Sequence, residues 1–201
     1  MCGIAGYFNP DQNYAENPKQ NFHTLSRMIN TMNHRGPDTY GHTIINSCCL
    51  AHTRLSIIDL ENGRQPMSYT KDGNTYYIVY NGEIYNYKEV KKTLLRKNYT
   101  FETNSDTEVI IAAFCHYGPG FVKELNGIFA IAIYDSMRNT LYLYRDRFGV
   151  KPLYYTKTGD TLVFASRIDT LFEYPRVRPC IDMNSFNEIF SLGPAKTYGK
   201  G

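Results

Sequence analysis

The sequence predicts an α+β domain in which helices cover antiparallel sheet. Three observations carry that prediction: amphipathic helical patterns near the start and middle, apolar runs paired across tight turns in the second half, and no regular strand–helix–strand alternation. The length of 201 residues suits one large domain, and 42% hydrophobic with 20% charged residues is ordinary globular usage.

Residues 3–8 form a short apolar run stopped by Asn9 and Pro10, which reads as a strand beginning within a residue or two of Cys2. Phe22, Leu25, Met28, Ile29 and Met32 share a face at helical spacing, and breaker residues in His34-Arg35-Gly36-Pro37-Asp38 then predict a loop ordered by its own side chains. Residues 75–80 read as a strand, Asn81-Gly82 interrupts it, and a helix follows over residues 87–97. Ser105 and Glu108 have capping-box spacing, so another helix starts there with Asp106 in its first turn. Its apolar face is Val109, Ile110, Ala113 and Phe114, and it ends near Gly118. Residues 128–134 and 141–144 flank one turn, 153–155 and 162–165 flank another, and both pairs read as hairpins. Past Pro175 the chain is punctuated by prolines and glycines around one short helix starting near Asp182.

No stretch has the apolar length of a membrane span, and Gly3, Gly6, Asn9, Pro10 and Asp11 break any secretory signal. Five cysteines without CxxC spacing argue against a disulfide framework and a zinc site, so no metal and a cytoplasmic location are expected. The net charge is only +3, and Lys88, Lys91, Lys92, Arg96 and Lys97 recur as on a solvated helix face. Charge alone motivates nucleic-acid binding there, and the spacing explains it without a ligand. Asp146 and Arg147 read as an ion pair at a strand end.

Removal of Met1 would leave Cys2 with both a thiol and a free α-amino group. The thiol titrates near ~8.5 and the amine near ~7.7–8.0, so the amine can take a proton close to neutrality, whereas a lysine near ~10.4 normally cannot. Nucleophile and base then share one residue.

Met1-Cys-Gly-Ile-Ala-Gly-Tyr7, His34-Arg-Gly-Pro-Asp38, Arg54-Leu-Ser-Ile-Ile-Asp59 and Asn81-Gly-Glu-Ile-Tyr-Asn86 occur in the order found in class II glutamine amidotransferases. With Thr103-Asn-Ser-Asp-Thr-Glu108, Leu125-Asn-Gly-Ile-Phe-Ala130 and Arg145-Asp-Arg-Phe-Gly-Val-Lys-Pro-Leu-Tyr-Tyr155, the sequence resembles the glutaminase domain of glutamine-hydrolysing asparagine synthetases over residues 1 to about 170. The resemblance implies an N-terminal nucleophile hydrolase fold, a four-layer sandwich with two antiparallel sheets between helical layers. It implies hydrolysis of L-glutamine with Cys2 as nucleophile, and Asn81 (side-chain amide) with Gly82 (backbone N–H) as oxyanion donors. Arg54 matches the residue that binds the substrate α-carboxylate, and Glu83 and Asp106 match contacts to its α-ammonium group and surroundings. Ile58 lies in the same substrate-binding motif. Taken alone, Asn81-Gly82 also reads as a turn, and Asp106 is explained by the helix dipole.

The implied organisation is an amidotransferase domain over residues 1–180 and, over 181–201, the start of a linker to an ATP-dependent synthetase domain absent from this sequence. No cofactor is expected in this chain; ATP and Mg belong to the missing domain, which would make asparagine from aspartate. A homodimer is one assembly left open. Arg167 departs from the family, which usually has Glu there, and puts interdomain contacts in doubt. A catalytically silent regulatory or scaffolding domain of the same fold is the alternative.

Overall fold

A computed structural model describes residues 2–55 and 63–192. β1 (Gly3–Phe8) lies between β3 (Cys48–Arg54) and β9 (Thr161–Ala165), with β2 (Thr39–Ile45) and β8 (Tyr154–Thr158) at the edges of a five-stranded sheet. β4 (Met67–Lys71), β5 (Asn74–Ile84), β6 (Gly127–Asp135) and β7 (Thr140–Arg145) follow one another in a four-stranded sheet. Every named strand pair is antiparallel.

The period-two alternation of side chains turns this topology into four layers. Ile4, Leu50 and Phe164 of the first sheet meet Val79, Ala130, Ala132 and Tyr134 of the second, and all are buried. The opposite face of the first sheet, with Ala5, Tyr7, Cys49, Ala51 and Val163, packs on Leu25, Met28, Ile29 and Met32 of α1 (Pro18–Met32). The opposite face of the second, with Ile78, Tyr80, Ile84, Ile131 and Ile133, packs on α2 (Tyr87–Leu95) and α3 (Asp106–Tyr117). Each large side chain so buried contributes about 1.5–3 kcal/mol, distributed over three apolar interfaces. α3 is buried from Thr107 to Phe114, the pattern of a helix enclosed on all sides.

Several sequence-based expectations need correction. Phe22, placed on the buried face of α1, is 45% exposed and packs against His42. Asn81-Gly82 is neither a turn nor an interruption: β5 runs through it, pairing Asn81 with Ala130 and Gly82 with Phe129. A Cβ at Gly82 would strike the Ile128 carbonyl and the Phe129 backbone, so closeness to β6 requires glycine there. Ser105 caps α3 through Thr107 N (3.2 Å), but Glu108 reaches past it to the backbone N–H groups of Glu102 and Thr103 (2.8 Å each). β2, β3, β4 and the short α4 (Ile168–Leu171) had no counterpart in the sequence reading. α5 (Met183–Leu192) begins where a helix was expected.

Asp146 orders the segment between β7 and β8 by accepting from backbone rather than by pairing with Arg147. Its carboxylate takes N–H donors from Val150 (2.9 Å), Lys151 (2.9 Å), Phe148 (3.1 Å) and Phe129 (3.3 Å). Burial pushes this carboxyl up, but those donors outweigh burial and hold it below the usual carboxylate range. Asp146→Asn should therefore cost about 2 kcal/mol of stability at neutral pH. A depressed folded-state pKa gives stability that is complete above about pH 4 and lost as pH falls through the folded value. Denaturation midpoints of parent and variant should thus converge in acid; a pH-independent gap would show that the charge is not what orders the segment.

Candidate active site

At one end of the sandwich the inner faces turn polar. Gly3 pairs with Thr53, so the register carries Cys2 opposite Arg54. Because Ile4 and Leu50 point between the sheets, alternation points Cys2, His52 and Arg54 the same way. Val79 points inward on β5, and so Asn81 and Glu83 do as well. A cleft of about 170 Å³ opens between these strands, and its lining among the described residues includes Cys2, His52, Arg54, Asn81, Glu83 and Lys151.

The first sheet fixes the thiol. Cys2 Sγ lies 3.7 Å from the Leu55 carbonyl oxygen, and Arg35 Nε donates to the Cys2 carbonyl at 3.1 Å. Arg35 comes from the loop after α1, whose Gly36 lies so close to β3 that a Cβ would strike the backbone of Thr53 and Arg54. Burial, and then the charge of Arg167, lower the Arg35 pKa.

The second sheet offers hydrogen-bond donors. β4 covers β5 only as far as Met67 opposite Ile78. Beyond that point alternate N–H groups leave the ladder: Tyr80 N donates to Gln65 Oε1 (2.6 Å) and Ile84 N to Asp106 Oδ2 (3.4 Å), whereas Tyr85 N donates toward β6, to Asn126 O. The Gly82 N–H, two residues from each of the first pair, projects from the same open edge. Asn81 is 2% exposed, and its amide Nδ2 has no partner among the described residues.

α3 closes the cleft with its first turn. Asp106 Oδ2 accepts from Tyr80 Oη (2.8 Å), and burial raises the Asp106 pKa against the opposing hydrogen bonds from Tyr80 and Ile84. Glu83 is exposed at the rim. The structure thus brings together Cys2, Arg54, Asn81, Gly82, Glu83 and Asp106; Ile58 and Met1 lie outside the described residues. His34 and Asp38 are not in this lining, and the His34 ring contacts Arg167 at 2.8 Å. His52, Gln65, Tyr80 and Lys151 line the cleft without having been singled out from sequence. For His52 the signal was its position two residues before Arg54, which places both on one strand face once β3 is recognised. Among the described residues no group of three His, Cys, Asp or Glu could hold a metal ion, and no helix is long and apolar enough to cross a membrane.

Two stacked antiparallel sheets between helical layers, with a thiol one residue before a central strand and open to the space between the sheets, define the N-terminal nucleophile hydrolase class. Glutamine phosphoribosylpyrophosphate amidotransferase from B. subtilis, solved with ADP and GMP, shares the fold: TM-score 0.62 and 19% identity, covering 84% of this chain and 42% of that one. Residues 1–199 match the glutamine amidotransferase domain family, and the chain belongs to it. It is 40% identical over 201 residues to asparagine synthetase [glutamine-hydrolyzing] 3 of Bacillus subtilis, covering all of this chain and 32% of that protein. Identity to asparagine synthetase B [glutamine-hydrolyzing] of Escherichia coli is 40% over 165 residues, covering 81% and 28%. An amidase, chyE, of Penicillium rubens is 36% identical over 181 residues, covering 87% and 26%. The chain therefore spans about a third or less of these relatives' length.

His52 is 1% exposed, and its Nε2 has no partner among the described residues. Burial pushes its pKa down to about 3, with the Tyr80 carbonyl opposing and the Arg54 charge adding to the fall. A neutral buried imidazole must shed its proton to fold, so stability declines from the unfolded value near ~6.5 down to the folded one, by about 1.4 kcal/mol per pH unit. His52→Gln should flatten the stability profile by that slope in this window. An unchanged slope would mean that the imidazole is charged in the folded chain.

Proposed function

We propose that this domain hydrolyses L-glutamine to glutamate and ammonia through Cys2, exposed as the N-terminal residue by removal of Met1. The observation that carries the reading is the Asn81 amide, without a partner among the described residues, beside the outward Gly82 N–H on the strand that faces Cys2 across the cleft. The α-amino group takes the thiol proton, and the thiolate attacks the carboxamide carbon. The oxyanion so formed accepts hydrogen bonds from Asn81 Nδ2 and Gly82 N–H. Collapse breaks the C–N bond, the proton passes to the leaving nitrogen, and ammonia departs. Water then cleaves the Cys2 thioester to release glutamate.

In this reading the Arg54 guanidinium holds the α-carboxylate by a two-pronged contact, and Asp106 with Glu83 meets the α-ammonium. Ile58 joins them from the motif that follows Arg54. Residues 1–180 form the amidotransferase domain and 181–201 lead to a synthetase domain that uses ATP and Mg to make asparagine from aspartate. Support comes from the names and greater length of the bacterial relatives, and from the exposed Ile181, Met183, Phe186 and Phe190 at and within α5. A cytoplasmic setting suits five free thiols, two of them fully buried. This reading leaves a homodimer open.

Intact-mass analysis before and after an electrophilic glutamine analogue tests the central claim. The chain should lack Met1 and gain one adduct, and Cys2→Ala should gain none. Trimmed chain that stays unmodified would overturn the assignment. Asn81→Ala should lower the turnover number by about 10²–10³ through loss of one oxyanion donor, measured as glutamate release at saturating glutamine.

A further inference from the structure

We propose that Tyr80 and Gln65 are positioning residues that clamp Asp106 to the open edge of β5, fixing the substrate's α-ammonium site relative to the Gly82 N–H. The proposal rests on the reading of Asp106 as the ammonium acceptor and assigns what holds it in place.

β4 stops pairing at Ile78, which leaves the next outward N–H of β5, on Tyr80, without a strand partner. Gln65 fills that position with its side chain instead of its backbone. Its Oε1 accepts from Tyr80 N at 2.6 Å, and its Nε2 donates to Thr107 Oγ1 at 3.2 Å. One amide thereby ties the strand edge to the first turn of α3. Tyr80 supplies a second tie. Its alternation sends the ring away from Cys2 and toward α3, where it is 3% exposed, and its hydroxyl donates to Asp106 Oδ2 at 2.8 Å. Ile84 N reaches the same oxygen at 3.4 Å. Gly82 lies midway between Tyr80 and Ile84, so residues 80–84 of one strand set the spacing between carboxylate and oxyanion donor. A site held on a rigid element in this way keeps sub-ångström geometry.

The charged and titratable groups around Asp106 come from every wall of the cleft: Glu83 on β5, Cys2 before β1, His52 and Arg54 on β3, and Lys151 after β7. Glu108, on the same helix, is turned away to residues 102 and 103. Burial raises the Asp106 carboxyl, and the Tyr80 hydroxyl is the foremost of the hydrogen bonds that counter burial. Loss of that hydroxyl moves the carboxyl further up, and only the ionised form attracts an ammonium group. The acid limb of kcat/KM against pH then moves to higher pH.

The test compares Tyr80→Phe, Gln65→Leu and Asp106→Asn in the full chain, with L-glutamine and with glutaramate, the same carboxamide without the α-amino group. Tyr80→Phe should raise KM for L-glutamine about tenfold, the scale of one hydrogen bond to a charged group. It should leave kcat within about twofold, leave KM for glutaramate unchanged, and shift the acid limb upward; Gln65→Leu should show the same selectivity for the α-amino substrate. If Asp106→Asn has the parent KM for L-glutamine, the ammonium reading itself fails and takes the clamp with it. If Asp106→Asn raises that KM while Tyr80→Phe and Gln65→Leu do not, or raise it equally for both substrates, the clamp is overturned and the reading of Asp106 stands. Where Gln65→Leu fails to fold, Gln65→Glu, which keeps an acceptor for Tyr80 N and loses the donor to Thr107, makes the same comparison.

Discussion

The pairing of β1 on both sides is the constraint from which the site follows. β1 is held by β3 along its length, from Gly3 opposite Thr53 to Phe8 opposite Cys48, and by β9 from Ala5 opposite Ala165 onward. Gly6 lets the strands of this sheet pack: a Cβ there would strike the Cys49 carbonyl of β3 and the Phe164 ring of β9. Ser166 adds a lock, donating its N–H to Ile4 O and accepting from Ile4 N at 3.0 Å. Cys2 is one residue from this doubly paired strand, and Arg35 anchors its carbonyl. A thiol placed so has little freedom to leave the cleft, and the attack proposed for it depends on that.

The same alternation that buries Ile4, Leu50 and Val79 presents Cys2, His52 and Asn81 one step further along each strand, with Arg54 a step beyond His52. Core and cleft are thus one surface whose chemistry changes from apolar to polar. The change has a cost, since a buried polar group without a partner loses about 1–3 kcal/mol. Among the described residues Asn81 Nδ2 and His52 Nε2 carry that cost at the cleft, and so does Nη2 of Arg35, the residue that meets the Cys2 carbonyl. The three apolar interfaces hold the layers together in spite of it. Groups beside the Cys2 thiol that lack a partner among the described residues suit the proposed site, whose partners arrive with the substrate.

Elements whose signal is local were legible in the sequence. β1, both hairpins and the helical faces of α1 and α3 follow from apolar spacing. What failed depended on neighbours distant in the chain. Asn81-Gly82 carries strong turn chemistry, yet eleven residues of β5 run through it because β6 supplies the ladder and leaves no room for a Cβ at Gly82. β3 is buried at every position, so it lacks the polar alternation that reveals a half-exposed strand. Without β3, nothing in the sequence tied His52 to Arg54. The roles of Tyr80 and Gln65 were hidden for the same reason, because the end of β4 creates the open edge they occupy. The resemblance pointed to Cys2, Arg54, Asn81 and Asp106; strand register turns the first three to one cleft, and the first turn of α3 brings Asp106 to Tyr80 of β5.

Arg167, where the resemblance implies Glu, finds its partners close by. It follows Ser166, the residue that locks β1, and its guanidinium pairs with Asp169 at 2.5 Å while reaching His34 Nε2 at 2.8 Å. A guanidinium only donates, so His34 accepts through Nε2 in this contact. The positive charge still acts on the thiol's anchor, because it is the second influence lowering the Arg35 pKa, after burial. Asp169 offsets that charge on the next turn of chain, and its carboxyl is held low chiefly by Arg167 itself. Both partners are substantially exposed, which limits the pair's contribution to stability. The effect of Arg167 is therefore on the shape and charge of the surface flanking Cys2, while the register that places the thiol is set by β1, β3 and β9.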